Sequence, residues 1–467
     1  MNRVLLSFSF LLIVFFSSAQ KFTLQQCIDT AIKNNIEVRQ SRLLSDAASV
    51  RYKQSKTNLL PDLNGNVSYG NNQGRSIDPF TNTYVNQNIS YSNYGLGTNL
   101  PLFNGFSLRN DMKQFAYAFK AAKLEADQAV VDLTLDVILA YLQVLNNEDQ
   151  MQVAKQQVEV SRKQLERLAI LNKEGAINPP QVHELRGQLK DNELTLLNSQ
   201  NAIATSKLLL AQLMNVPYTN MQLERTETAQ LLTAPVVTSD EVYQKAINQL
   251  AGVKAAELRK KSGEAAVKSS RGALYPSLSL NAGASTNYSS IAAREVFVNT
   301  SDVTTSNYVV VNGNQIPVMT KRNNFETEKI GYGSQLKNNV YTNIGLTLRV
   351  PILNSFQTRN RIKLAEIDLK NSMLIEENTR LQIRQQVEQA HLNLVNAWSR
   401  YQLMQEQVDA FREAFRAAEV RFNAGVGNSV DYILAKNNYD RSSLNLVIAR
   451  YDYLLRKQVI EYYTESL

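Results

Sequence analysis

Two histidines, one cysteine and a scatter of carboxylates are what this 467-residue chain offers for metal, nucleophilic or acid–base chemistry. His183 and His391 lie far apart, and neither has a partner at metal-ligand spacing. His183 reads as a solvated helix residue beside a turn, and His391 as packing beside an apolar stripe. Cys27 has no second cysteine to pair with. With Ile28, Ala31 and Ile32 around it, Cys27 reads as one apolar position of an amphipathic helix, a buried structural thiol. The carboxylates show no pair set in an apolar pocket, and no glycine-rich loop is present to cradle a phosphate. The reading is a protein without catalytic residues, metal or cofactor, whose energy comes from a partner.

The elements that carry these residues are long. Gly and Pro number only 18 and 10, which favours uninterrupted helices. With 44% hydrophobic and 20% charged residues, the chain has the composition of a folded protein. The net charge of +8 is spread among acidic residues, so it reads as a solvated surface and not as a nucleic-acid footprint. Residues 1–19 read as a signal peptide. Asn2 and Arg3 are followed by the apolar run Val4–Phe16 and by small residues Ser17, Ser18 and Ala19, so Gln20 would begin the mature chain. That run is shorter than the ~20 residues a spanning helix needs. No other stretch reads as such a helix, so residence in a membrane would require a barrel.

Internal repetition decides the organisation. Asn93–Lys113 and Asn343–Lys363 share nine of 21 residues at an offset of 250, among them Pro101/Pro351, Asn104/Asn354, Phe106/Phe356 and Arg109/Arg359. NLLPDLNGNVSYG from Asn58 matches ALYPSLSLNAGAS from Ala273 at an offset of 215. The difference is one insertion in the second copy, about residues 289–334, whose YVVVNGNQIPVM segment reads as a hairpin around Asn312-Gly313. The plan is a first repeat over 20–215, an inter-repeat equatorial segment over 216–239 that packs as a collar, and a second repeat over 240–467. Strands are expected at about 62–72 and 88–102, then at about 277–288 and 336–351. Leu278, Leu280, Ala282 and Ala284 alternate with Ser277, Ser279, Asn281 and Gly283. Ile344, Leu346 and Leu348 alternate with Asn343, Gly345 and Thr347. Leu63, Val67, Tyr69, Tyr94, Leu96 and Leu100 fall on the equivalent face of the first repeat. One apolar and one polar face suits a barrel wall between lipid and water, and equally a half-buried sheet. In lipid, four strands cannot close alone, so the barrel reading demands an oligomer.

After each strand pair comes a heptad stripe. Leu133, Val137, Ala140 and Val144 recur at an offset of 250 as Ile383, Val387, Ala390 and Leu394, the mark of coiled-coil packing. Each long helix has roughly 70 residues and spans roughly 100 Å. Gly175 and Gly425 suit left-handed caps, and Asn178 and Asn428 suit the next N-caps. Helical hairpins are therefore expected over 105–213 and 356–462.

Taken together, the opening TLQQCIDTAIKNNIEV, the two proline-bounded strand pairs, the repeated hairpins and the tip AGVGNSVDYILAKNN from Ala424 resemble the TolC-like outer-membrane efflux proteins over nearly the whole mature chain. The resemblance implies an α+β membrane protein of the cell outer membrane. Four strands per protomer would join a shared twelve-stranded barrel in a homotrimer, and the coiled-coil hairpins would form a periplasmic α-barrel. It implies the exit duct of a tripartite efflux pump or type I secretion system, partnered by outer-membrane lipid, a periplasmic adaptor, and an inner-membrane pump or export ATPase. It places a periplasmic gate at Asp431, with Leu434 where the best-known member has a second acidic residue. Asp431 in a first helical turn is also explained by the helix dipole alone. The adaptor surface is expected at the tips: Gly175, Asn178 and Gln181 in the first hairpin, and Gly425, Gly427, Asn428 and Ser429 in the second. The competing reading is a periplasmic adaptor, which also joins a coiled-coil hairpin to β structure.

Overall fold

The structure, a computed structural model, describes residues 21–77, 82–175, 177–218, 221–225 and 232–464. The signal segment read over 1–19, with its cleavage point, lies outside the described residues, as does the tail after Thr464. In the first repeat the described elements are β1 (Lys21–Phe22), α1 (Leu24–Asn34), α2 (Ile36–Thr57), β2 (Asn64–Asn72), β3 (Arg75–Ile77), β4 (Tyr84–Asn86), β5 (Ile89–Asn104), α3 (Ser107–Lys173) and α4 (Pro179–Met214). A short β6 (Gln222–Leu223) precedes the second repeat. That repeat holds α5 (Ser239–Gln249), α6 (Ala251–Gly272), β7 (Ser277–Ser289), β8 (Ala293–Val311), β9 (Asn314–Lys329), α7 (Tyr332–Asn338), β10 (Tyr341–Arg349), α8 (Gln357–Asn423) and α9 (Ser429–Thr464). The chain divides into a helical unit (Met1–Val50, Phe115–Gly263, Asp368–Leu467) and a strand-rich unit (Arg51–Gln114, Glu264–Ile367).

In the helical unit the duplication extends to the caps. Thr23 Oγ1 accepts from Gln26 N at 3.1 Å while Gln26 Oε1 accepts from Thr23 N at 3.1 Å. Thr238 and Glu241 repeat this reciprocal box before α5, so each opening helix starts with two of its free amides satisfied. Cys27, Ala31 and Val38 pack with Val137, Val144 and Leu145 of α3 and with Leu210 and Met214 of α4. Val242, Ala246 and Val253 pack with Val387, Ala390 and Leu394 of α8 and with Tyr453 and Ile460 of α9. Each buried aliphatic side chain stabilises this core by roughly 1.5–3 kcal/mol. Burial pushes the Cys27 thiol up to about 11, which suits an inert packing residue.

The inter-repeat segment is tied into this unit by contacts without a local sequence signal. β1 pairs with β6 in parallel, Lys21 opposite Gln222 and Phe22 opposite Leu223. Tyr141 and Tyr453 donate their hydroxyls to the carbonyls of Glu224 and Thr233. His391 Nε2 lies 2.9 Å from the Val237 carbonyl. Asp149 gathers Arg225, Arg450 and the Tyr451 hydroxyl, the last at 3.0 Å. By composition α3 does contain a stretch long and apolar enough to cross a membrane, contrary to the expectation that the chain has none after its signal. Its Val137, Val144 and Leu145 sit in the helical core.

In the strand-rich unit one antiparallel sheet has the order β10-β7-β5-β2. Its register puts Leu346 opposite Leu280 and Leu280 opposite Leu100, then Ala284 opposite Leu96 and Tyr94 opposite Val67. Asn343, Gly283 and Gly97 align on the other face, as do Gly345, Asn281 and Asn99. On that polar face Asn281 Nδ2 donates to Thr347 Oγ1 at 2.9 Å. The apolar face is bare, with Ile344 76% and Val67 72% exposed. Among the described residues both outer strands, β10 and β2, have one unpaired edge. The last strand, expected from 336, begins only at Tyr341. Residues Tyr332–Asn338 instead form α7, which aims the buried Gln335 amide at the backbone of Ser289 (2.9 and 3.0 Å) and Ile330 (2.8 Å). β10 ends at Arg349, two residues short of Pro351, a residue with no amide to donate to a ladder.

The insertion forms a separate ribbon in which β8 pairs with β9. Its turn holds Asn312 and Gly313 at φ 52° and 86°, the geometry that Asn-Gly favours. Each long helix is entered through two successive left-handed residues, Gly105-Phe106 before α3 and Ser355-Phe356 before α8. Arg109 and Arg359 lie 5.8 and 5.5 Å from the rings of Phe106 and Phe356, so the corner is duplicated in detail.

Candidate functional site

The candidate site lies at the two hairpin tips of the helical unit. α3 ends where Gly175 takes φ +72° and α8 where Gly425 takes φ +78°. Side chains with a Cβ avoid that region, so glycine closes both helices. Asn178 and Asn428 both stand before the returning helices, but they cap differently. Asn428 Oδ1 accepts from the amides of Val430 (2.6 Å) and Asp431 (3.0 Å). Asn178 makes no side-chain cap bond, and Pro179 supplies the helical start there.

The fold brings the two tips together. Gly175, Asn178 and Gln181 from the first line one cavity of about 520 Å³ with Gly425 and Gly427 from the second. Arg167 donates to Asn423 Oδ1 at its wall. Asp431 is exposed in the first turn of α9 and is not among the cavity's lining residues. Leu434, one turn on, is exposed as well. Ser429, expected among the exposed docking residues, is buried at 4% exposure. Apolar residues exposed around this turn include Val426 and Val430.

Behind the tip lies an aromatic seam. Tyr432 stacks on Phe422 with centroids 4.9 Å apart and contacts Phe415 at 5.6 Å. Leu168, Val182, Leu185 and Ile433 complete the cluster. Burial pushes the Tyr432 phenol up, and its hydroxyl has no hydrogen-bond partner. One turn further, Lys436, 1% exposed, pairs with Asp440. Burial raises Asp440 above the usual carboxylate range against the opposing pull of Lys436. Gln157 Nε2 donates to the Asp440 carbonyl at 3.0 Å, and Asn192 Nδ2 donates to Ser161 Oγ at 2.7 Å nearby. Sequence reasoning missed this ion pair. Its signal was Lys436 four residues after Tyr432, a cation on what should be the apolar stripe, with Asp440 one turn beyond.

Among the described residues no group of three or more His, Cys, Asp or Glu side chains is placed to hold a metal ion. His183 is exposed and His391 holds the Val237 carbonyl. The tips offer a polar, glycine-lined cavity with exposed Val426 and Val430 beside it.

Comparison with known proteins agrees with this architecture. The family model for outer membrane efflux protein matches residues 27–216 and 242–461. A search of curated protein sequences found no match. The structure resembles the Vibrio cholerae outer membrane protein VceC, with TM-score 0.74 and 15% identity over 95% of this chain and 96% of that one. The Campylobacter jejuni outer membrane channel CmeC gives TM-score 0.74 and 15% identity over 94% and 85%. The open state of the Neisseria gonorrhoeae channel MtrE gives 0.69 and 17% over 94% and 88%.

Proposed function

Because this chain belongs to the outer membrane efflux protein family, we propose that it works as a homotrimeric, passive exit duct whose periplasmic end is gated at Asp431 and docked by an adaptor. It is an outer-membrane efflux channel with a periplasmic helical portion, and the adaptor reading is not favoured. Two helical hairpins and a four-stranded sheet with two unpaired edges suit a wall segment rather than an adaptor.

One observation carries the reading. The sheet is apolar on one face, polar on the other, and open at both edges. In hydrocarbon each unpaired backbone group costs several kcal/mol, and a closed barrel needs about eight strands or more. Three copies would supply twelve, with Leu346 and Val67 toward lipid and Asn281 and Asn343 toward water.

At the periplasmic end, copies of exposed Asp431 around an axis would concentrate negative charge at the aperture and favour cations. The tip cavity and exposed Val426 and Val430 suit the helical end of a periplasmic adaptor, which would couple the duct to an inner-membrane pump or export ATPase. The purified protein in planar bilayers tests both parts. Stepwise conductance is expected, with cation preference reduced in Asp431→Ala. Conductance with unchanged selectivity would remove the gate assignment, and no conductance would remove the duct.

A further inference from the structure

We infer that the contact between copies repeats the seam already present inside each chain, and that this fixes its strand register. The proposal rests on the trimer reading above and adds residue pairing to it.

The intrachain seam joins β5, the second strand of the first repeat, to β7, the first strand of the second repeat. Its register runs from Tyr91 opposite Ser289 to Pro101 opposite Ser279, with Leu96 opposite Ala284 and Gly97 opposite Gly283. The two open edges are the duplicated counterparts of this seam. β10 is the copy of β5 at an offset of 250, and β2 is the copy of β7 at an offset of 215. Carrying the pairing across puts Leu348 opposite Val67 of the neighbouring copy, Leu346 opposite Tyr69, Thr347 opposite Ser68 and Arg349 opposite Asn66.

Two independent features fit a repeat of this seam between copies. First, the parity is right: Leu346 and Leu348 share the apolar face with Leu280 and Leu278, while Val67 shares it with Tyr94. A one-residue slip would turn one copy's lipid face toward water. Second, in the helical unit the duplicated counterparts of an ion pair are apolar and bare. Inside the chain Arg259 pairs with Glu125 at 2.6 Å. The duplicated positions are Leu44 and Ile375, 62% and 51% exposed, so an ion pair within the chain becomes an apolar contact between chains.

The template stops at the corner. A Cβ on Gly105 would collide with the Gly272 carbonyl, so these two glycines permit a close approach within the chain. Their counterparts are Ser355 and Thr57, which carry a Cβ. The seam between copies therefore keeps the sheet register but is wider at this end than the seam within each chain.

Cysteine crosslinking in outer membranes tests the register, in a Cys27→Ala background with copper phenanthroline as oxidant. Val67→Cys/Leu348→Cys and Ser68→Cys/Thr347→Cys should each lock chains into a reducible trimer. The slipped pairs Gly65→Cys/Leu348→Cys and Tyr69→Cys/Leu348→Cys should crosslink at least about fivefold less, because diagonal partners lie ~7–8 Å apart, at or beyond disulfide reach. Stronger crosslinking of a slipped pair overturns the register. So does absence of crosslinks in a chain that still migrates as a heat-sensitive trimer. A chain that migrates only as a monomer overturns the trimer reading itself.

Discussion

The two long helices are equal in length and unequal in surroundings. α3 buries eighteen of its 67 residues, whereas α8 buries six of 67. Equivalent positions show the contrast best. Leu142 and Leu145 are buried, while Leu392 and Val395, 250 residues on, are 54% and 39% exposed. Both helices descend from one plan, yet α3 is far more covered by its own chain. The proposed contact between copies would cover the apolar side chains left bare on α8. On the trimer reading, duplication gave one helix to the protomer's interior and left the other for the contact between copies.

Substitutions at matched positions probe this difference. Leu145→Ala should cost the protomer about 2–5 kcal/mol, since the site leaves a cavity in a packed core. The loss is measured by denaturant unfolding in detergent. Val395→Ala should change that protomer stability by no more than about 0.5 kcal/mol and instead lower the temperature at which the trimer dissociates on a gel. If both act alike on the protomer, the contrast between the helices fails.

A comparable loss, about 3–5 kcal/mol, is expected for Lys436→Ala, which leaves Asp440 buried without its partner. Lys436→Met combined with Asp440→Asn should recover most of it. The pair also sets a pH dependence. Asp440 holds its proton more tightly in the folded chain than its ordinary value of 3.8 implies. The folded state therefore binds the extra proton as pH falls, and stability attributable to Asp440 drops as pH rises from 3.8 through its raised value. Thermal melts from about pH 4 to about pH 7 should show this slope flattened in Asp440→Asn. An unaltered slope would assign the dependence elsewhere.

A smaller and local effect is expected at the tips. Gly425→Ala forces a Cβ into φ +78° and should cost about 1 kcal/mol. Hydrogen exchange should show the loss confined to the last turn of α8, whereas a global loss would mean that the tip is coupled to the core.

Much of this fold was legible before the structure. Alternation in Ser277–Ala284 and Asn343–Arg349, the offset of 250 and the heptad stripe are local or periodic signals, and the observed sheet and helices follow them. What was illegible depends on distant partners. Nothing near Gln222 announces a parallel partner at Lys21. Asp149 is one acid among many until the fold brings Arg225 and Arg450 to it. At the tips, glycine and asparagine marked the turns, but only the packing of the folded hairpins showed that Ser429 is buried. The span of α7 depended on one glutamine amide reaching Ser289 and Ile330.

Light scattering of the detergent-extracted protein, with and without heating, addresses the central claim most directly. Three chains per particle, falling to one after heating, is the result expected if strand edges are satisfied by copies. A detergent-free, monodisperse single chain would contradict it, since β2 and β10 would then need no neighbour.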